Sequence, residues 1–252
     1  MTGTTLKGAP IWVELYAQDL PRAQAFYGSL FGWRFDNSGE EYGNYHMIVR
    51  GDEVVGGAMV QQPEMGIPTW CVYLSSDDIR AMTERARQAG GEIHVEPMEI
   101  PGQGTMAFLS DSTGAALGAW QSDTVAIQAK DKPGAPVWFE LMTGNYDEAL
   151  TFYRDVFQWD VQPVGDQGME WRYATNGKGD DAVAGLCDAS EFVPSKVPVS
   201  YWRVYFSVAD TDEAIGRIQE LGGRLVDGPM DSPNGRVATV EDDQGVQFQI
   251  VD

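Results

Sequence analysis

The chain repeats itself. The segment PIWVELYAQDLPRAQAFYGSLFGW, from Pro10, returns as PVWFELMTGNYDEALTFYRDVFQW, from Pro136. At an offset of 126, Pro10/Pro136, Trp12/Trp138, Glu14/Glu140, Leu15/Leu141, Phe26/Phe152, Tyr27/Tyr153, Phe31/Phe157 and Trp33/Trp159 are identities. The echo resumes at 132 with Trp70/Trp202, Val72/Val204, Tyr73/Tyr205, Gly90/Gly222, Gly91/Gly223 and Pro97/Pro229, and at 131 with Asp111/Asp242 and Gly114/Gly245. Identities in this order mean that one unit is used twice, so the fold must be one that a module of about 120 residues can build. The growth of the offset by six puts extra residues in the second copy, expected in TNGKGDDAVAG at 175–185. The polar SDTVAIQAKDKPG ends in Pro-Gly and reads as a linker. The modules are then 8–121 and 135–252, joined by 122–134.

Within a module the periodicity changes in a fixed order. IWVELYA (11–17) and VWFELM (137–142) are β-rich. Asp19 then caps a helix with Pro21 in its first turn; Ala23, Phe26, Tyr27, Leu30 and Phe31 fall at helical spacing, and Gly32 stops it. Asn145 takes the cap position in the second copy. Strands follow at YHMIV (45–49), VVGGAMV (54–60), WRYAT (171–175), WCVYLS (70–75) and YWRVYFSV (201–208). Amphipathic helices at 77–88 and 211–221 each close on Gly-Gly. Two final strands are separated by Asp-Ser-Thr-Gly or Asp-Asp-Gln-Gly, a hairpin turn. Each module therefore reads βαβββ twice. The expected class is α+β: two tandem modules, each a pair of βαβββ units forming a curved, half-open mixed barrel with the helices outside.

Composition narrows the partners. Seventeen basic against 38 acidic residues give a net charge of −21, which repels a phosphate backbone and an anionic membrane surface. Nucleic acid and membrane are therefore not expected as partners. The chain lacks any apolar run approaching the roughly 20 residues of a membrane helix. The opening MTGTTLKGAP has no basic region followed by an apolar one, so cytoplasmic residence is expected. The two cysteines, Cys71 and Cys187, form no CxxC pair and read as reduced thiols. With only His46 and His94, a thiol or serine nucleophile has few activating partners.

The run DLPRAQAFYGSLFGW (19–33), its echo NYDEALTFYRDVFQW (145–159), the Gly-Gly before a Pro-bearing loop and the strand–Asp-x-x-Gly–strand ending resemble the vicinal-oxygen-chelate superfamily. That superfamily groups glyoxalases, bleomycin-resistance proteins and extradiol dioxygenases, in tandem form here. The resemblance implies a divalent ion in the sheet's concavity, held by His, Gln or Glu on the first strand, the third strand, the strand after the mid-module loop and the last strand. Those positions fall on Trp12 and Trp138, near Gly57 or Gly185, on Trp70 and Trp202, and on Gly118 or Gln249. An indole offers only an N–H donor and a glycine offers no side chain, whereas such an ion needs three or four O, N or S ligands. No metal ligand and no cofactor is therefore expected at the family site.

Strand alternation puts Trp12, Glu14 and Tyr16 on one face, and Trp138 and Glu140 likewise. If the ligand positions face the concavity, Trp70, Trp202 and Phe206 join them. The expected ligand-binding set is thus Trp12, Tyr16, Trp70, Trp138, Trp202 and Phe206, with Glu14 and Glu140 as polar anchors or catalytic bases. A flat, largely apolar or aromatic molecule suits such a lining, and a cation could also sit over the indoles. Three functions fit the pattern. One is a metal-free small-molecule binder. Another is a metal-independent enzyme (isomerase, lyase or hydroxylase-like) using Glu14 or Glu140 as base. The third is a metal-dependent glyoxalase or dioxygenase with unexpected ligands. Whether the chain is an enzyme stays open at this point, as does the choice between monomer and homodimer.

Overall fold

The computed structural model describes residues 7–62, 67–124, 126–130, 132–165, 172–191 and 200–252. The first module runs β1 (Pro10–Ala17), α1 (Leu20–Phe31), β2 (Arg34–Asn37), β3 (His46–Arg50), β4 (Glu53–Val60), β5 (Thr69–Ser75), α2 (Ile79–Gln88), β6 (Glu92–Ile100), β7 (Gly104–Ser110) and β8 (Ala116–Gln121). The second runs β9 (Pro136–Thr143), α3 (Tyr146–Phe157), β10 (Gln162–Val164), β11 (Tyr173–Thr175), β12 (Ala184–Asp188), β13 (Ser200–Ser207), α4 (Thr211–Glu220), β14 (Arg224–Ser232), β15 (Gly235–Glu241) and β16 (Gln247–Val251). The strands form two eight-stranded sheets of the same order, β2-β3-β4-β1-β5-β8-β7-β6 and β10-β11-β12-β9-β13-β16-β15-β14. Both are mixed: β1/β4, β5/β8, β9/β12 and β13/β16 pair parallel, and the hairpins pair antiparallel. Each sheet ends on different strands and is open rather than a closed barrel. The class is α+β with two tandem modules.

The helices start where side chains can satisfy orphan N–H groups. Asp19, Asp78 and Asp210 accept from the backbone N–H groups of Arg22, Ala81 and Glu213. Asn145 departs from its expected role, because its side chain makes no cap bond; its amide donates to Glu148 Oε2 at 2.5 Å instead. Gly32 ends α1 in the left-handed region, and Gln158 takes the same conformation after α3. The Gly-Gly pairs do two different jobs. Gly90 and Gly222 carry φ of +88° and +93°. Gly91 and Gly223 admit a neighbouring strand instead: a Cβ on Gly91 would stand 2.8 Å from the Ser110 carbonyl oxygen and 2.9 Å from the Phe152 ring, and one on Gly223 would stand 2.3 Å from the Glu241 carbonyl oxygen.

The compact units do not coincide with the sequence repeats. One comprises residues 1–11, 72–125 and 138–203, and the other 12–71, 126–137 and 204–252. In the first, α2 packs on α3; in the second, α1 packs on α4. Each unit is pinned by a buried chain of donors. Trp202 Nε1 donates to the Tyr153 hydroxyl at 3.0 Å, and Tyr153 donates to Asp111 Oδ2 at 2.8 Å. In the other unit Trp70 Nε1 donates to Tyr27 at 3.1 Å, and Tyr27 donates to Asp242 Oδ2 at 3.0 Å. The second oxygen of each aspartate accepts backbone N–H groups of its own hairpin turn, from Thr113 and Ala115 or from Gln244 and Val246. The Asp-x-x-Gly turn of one module is thereby tied to the first helix of the other.

Candidate functional site

On β1 the alternation holds, and Glu14 is paired in register with Gly57 of β4. Tyr45, just before β3, reaches over that glycine. A Cβ at position 57 would stand 1.7 Å from the Tyr45 hydroxyl oxygen. Trp12 Nε1 donates to this hydroxyl at 3.1 Å, and the hydroxyl is hydrogen-bonded to Glu14. Although Tyr45 is only half-buried as a residue, its phenol end lies deep. Burial first, then the charge of Glu14, holds its pKa well above the usual phenol range. The hydroxyl therefore keeps its proton, accepts from the indole and donates to the carboxylate.

The second copy builds the same relay. Gly185 of β12 pairs with Glu140 of β9, and a Cβ on Gly185 would stand 1.9 Å from the Tyr173 hydroxyl oxygen. Trp138 Nε1 donates to Tyr173 at 3.1 Å, and Tyr173 donates to Glu140 Oε1 at 2.9 Å. Sequence reasoning missed Tyr45 and Tyr173. They stand 128 residues apart, as do Gly57 and Gly185, between the stretches that match at 126 and at 132. Two of the six extra residues thus enter between Trp159 and Tyr173 and four between Gly185 and Trp202, not within 175–185. Both intervals include stretches, 166–171 and 192–199, outside the described residues.

Around the relays the copies differ. In the first, Tyr16 donates to Glu14 Oε2 at 3.2 Å, and Glu14 is 6% exposed. In the second, Met142 replaces Tyr16, and Arg203 stands where the first copy has Cys71. Arg203 lies 3.9 Å from Glu140 Oε2 and donates to the Tyr201 hydroxyl at 2.8 Å. Cys187 shares this neighbourhood. Burial, then the charge of Glu140, pushes its thiol up to about 12, so it stays protonated and is no nucleophile.

Trp70, Trp202 and Phe206, expected with the other ligand-facing residues, are placed elsewhere. The indole N–H groups of Trp70 and Trp202 are spent on the helix tyrosines Tyr27 and Tyr153. Phe206 packs edge-on to Trp70 at 5.0 Å and to Trp33 at 5.2 Å, and it is fully buried. The physical reason is that strand alternation resumes out of phase with the assumed face: Trp70, Trp202 and Phe206 point at the helices. Of the expected set, Trp12, Glu14 and Tyr16 lie together in one copy and Trp138 and Glu140 in the other. Of the histidines, His94 Nε2 lies 2.7 Å from Ser110 Oγ on the surface, and His46 sits on β3 beside Tyr45. A small surface cleft of about 10 Å³ lined by Lys7, Ser75, Asp77, Arg85 and Gln158, among others, contains neither carboxylate.

A divalent ion of the kind the fold family uses does not fit these residues. Both indoles are N–H donors already engaged with phenols, and the phenols fill the space a side chain at 57 or 185 would need. Among the described residues no three His, Cys, Asp or Glu side chains gather as an ion site would require. Nor is any described helix long and apolar enough to cross a membrane.

Known proteins resemble this chain over nearly its whole length. The sequence profile of the Glyoxalase/Bleomycin resistance protein/Dioxygenase superfamily matches residues 10–118 and 135–250. CFP32 of Mycobacterium tuberculosis, provisionally named a glyoxylase, is 32% identical over 253 residues, covering 97% of this chain and 95% of its own. The anthracycline biosynthesis protein DnrV of Streptomyces peucetius is 31% identical over 264 residues, covering 97% and 93%. In fold, the 2,3-dioxygenase LapB from Pseudomonas sp. KL28 superposes with a TM-score of 0.66 at 12% identity, over 98% of this chain and 93% of that one. The Mn(II)-bound glyoxalase from Novosphingobium aromaticivorans gives 0.65 at 16% identity, over 97% and 82%. The chain belongs to the Glyoxalase/Bleomycin resistance protein/Dioxygenase superfamily.

Proposed function

We propose that this protein binds a small, largely apolar or aromatic molecule on its Trp–Tyr–Glu faces without the divalent ion of its relatives. The observation that carries the reading is the duplicated relay: Trp12–Tyr45–Glu14 over Gly57 and Trp138–Tyr173–Glu140 over Gly185. An indole offers a flat apolar surface, and a carboxylate oriented by a phenol offers one strong acceptor for a ligand hydroxyl or ammonium. The name of the relative DnrV, from anthracycline biosynthesis, is consistent with a fused-ring ligand. That name also favours a second reading, a metal-independent enzyme of secondary metabolism with Glu14 or Glu140 as base. In both readings the modules are 8–121 and 135–252, the linker is 122–134, and the acidic chain works in the cytoplasm as monomer or homodimer.

The test is a titration of tryptophan fluorescence with an anthracycline, with and without a chelator. Saturable quenching with the same midpoint in both conditions is expected. Glu140→Gln should weaken it about ten- to a hundredfold, the worth of one hydrogen bond to a charged group. Absence of saturation, or loss of binding with the chelator, would contradict the reading. Turnover that survives the chelator and stops in Glu14→Gln or Glu140→Gln would select the enzyme.

A further inference from the structure

The two copies of the relay are not equivalent, and the differences are chemical. Every replacement in the first copy closes the carboxylate off. Tyr16 and Tyr45 both serve Glu14; Trp12 and Cys71 are buried, and Glu14 is 6% exposed. In the second copy the carboxylate is less enclosed. Trp138, Glu140 and Arg203 are half-buried, with 12% of the Glu140 side chain and 25% of the Arg203 side chain exposed. Met142 offers no hydroxyl where Tyr16 does, and Cys71 is answered by a guanidinium.

Arg203 is also oriented. Its carbon lies 5.4 Å above the Tyr201 ring, and one terminal nitrogen donates to the Tyr201 hydroxyl at 2.8 Å. A guanidinium positioned by that hydrogen bond presents terminal N–H donors suited to a planar anion, which a thiol at the same position cannot do. Beside it, at 3.9 Å, Glu140 presents an acceptor whose other oxygen is fixed by Tyr173 at 2.9 Å. Donor fork and acceptor thus stand side by side, next to the indole of Trp138.

Resting on the reading proposed above, we infer that the second module alone receives the ligand, and that the ligand is an aromatic acid with a hydroxyl beside its carboxylate. The carboxylate meets Arg203, the neighbouring hydroxyl donates to Glu140, and the ring lies along Trp138. The first module keeps the relay as a packed, closed element. In a chain of net charge −21, Arg203 supplies the local positive charge that lets an anion approach.

The probe is 3-hydroxy-2-naphthoate, titrated calorimetrically against 2-naphthol, which lacks the carboxylate. The full chain should bind one equivalent of the acid, at least about tenfold tighter than the naphthol. Arg203→Met should cost the acid about ten- to a hundredfold while changing the naphthol less than about threefold. Arg203→Lys, which keeps the charge, should recover part of the loss and guards against a folding defect. Two equivalents per chain, or an equal effect of Arg203→Met on both probes, would overturn the assignment while leaving a binder in place. If neither naphthalene saturates the wild type, the binding reading itself fails with it.

Discussion

At the scale of single residues, the phenols of Tyr45 and Tyr173 decide what the site can be. Each fills the volume that a side chain at Gly57 or Gly185 would occupy, and each is held between an indole donor and a carboxylate acceptor. The glycines are thus required by an approaching side chain, not by backbone conformation. Gly185→Ala drives a methyl into a hydroxyl that can retreat only by breaking both its hydrogen bonds. It should destabilise the protein by about 1–3 kcal/mol in chemical denaturation. Tyr173→Phe should cost a similar amount, because Trp138 and Glu140 both lose this partner. The two effects should fall well short of additive in the double variant, since each removes the same relay. Additivity would mean that the phenol and the glycine act independently. Trp12, Glu14 and their counterparts were legible from the repeat and from strand alternation. The tyrosines were not, because they come from a different strand at an offset belonging to neither matched stretch.

At the scale of elements, the hairpin turn and the first helix are joined by a carboxylate. Asp111 and Asp242 each take a phenol on one oxygen and their own turn on the other. Desolvation is the largest influence on both, and it holds their pKa above the usual carboxylate range despite those hydrogen bonds. Between the ordinary and the raised value, the folded protein binds protons that the unfolded chain has released. The stability these groups contribute is therefore full below that window and falls as pH rises through it. The lead of the wild type over Asp111→Asn should widen as pH is lowered from about 7 toward about 4. A gap that narrows on acidification would mean that Asp111 is favoured as the charged form in the fold. The turn itself was readable from Asp-Ser-Thr-Gly and Asp-Asp-Gln-Gly. Its tie to a helix of the other module was not, because nothing in the local pattern marks a partner more than 40 residues away.

At the scale of the whole molecule, the repeat gave the number of modules, the order of elements and the mixed α+β class. It did not show that the compact units interleave the modules, the helix of one being seated on the turn of the other. Periodicity reports which face of an element is apolar, not which copy of an equivalent face it meets. The interleaving carries an expectation about dissection. Residues 1–121 alone would leave Asp111 without Tyr153 and Tyr27 without Asp242, and would bare the apolar faces of α1 and α2; residues 135–252 alone would strand Tyr153 and Asp242 and bare those of α3 and α4. Either module alone should self-associate in light scattering, and mixing the two should restore a one-to-one complex. Two stable monomers would refute the interleaving.

Equilibrium dialysis against manganese, iron, nickel and zinc, followed by elemental analysis, tests the proposal that no divalent ion sits among these indoles and phenols. Fewer than about 0.1 ion per chain is expected, given the donor sets such ions require. About one tightly held ion per chain or per module, lost in Glu14→Gln or Glu140→Gln, would contradict the account and return the protein to metal chemistry.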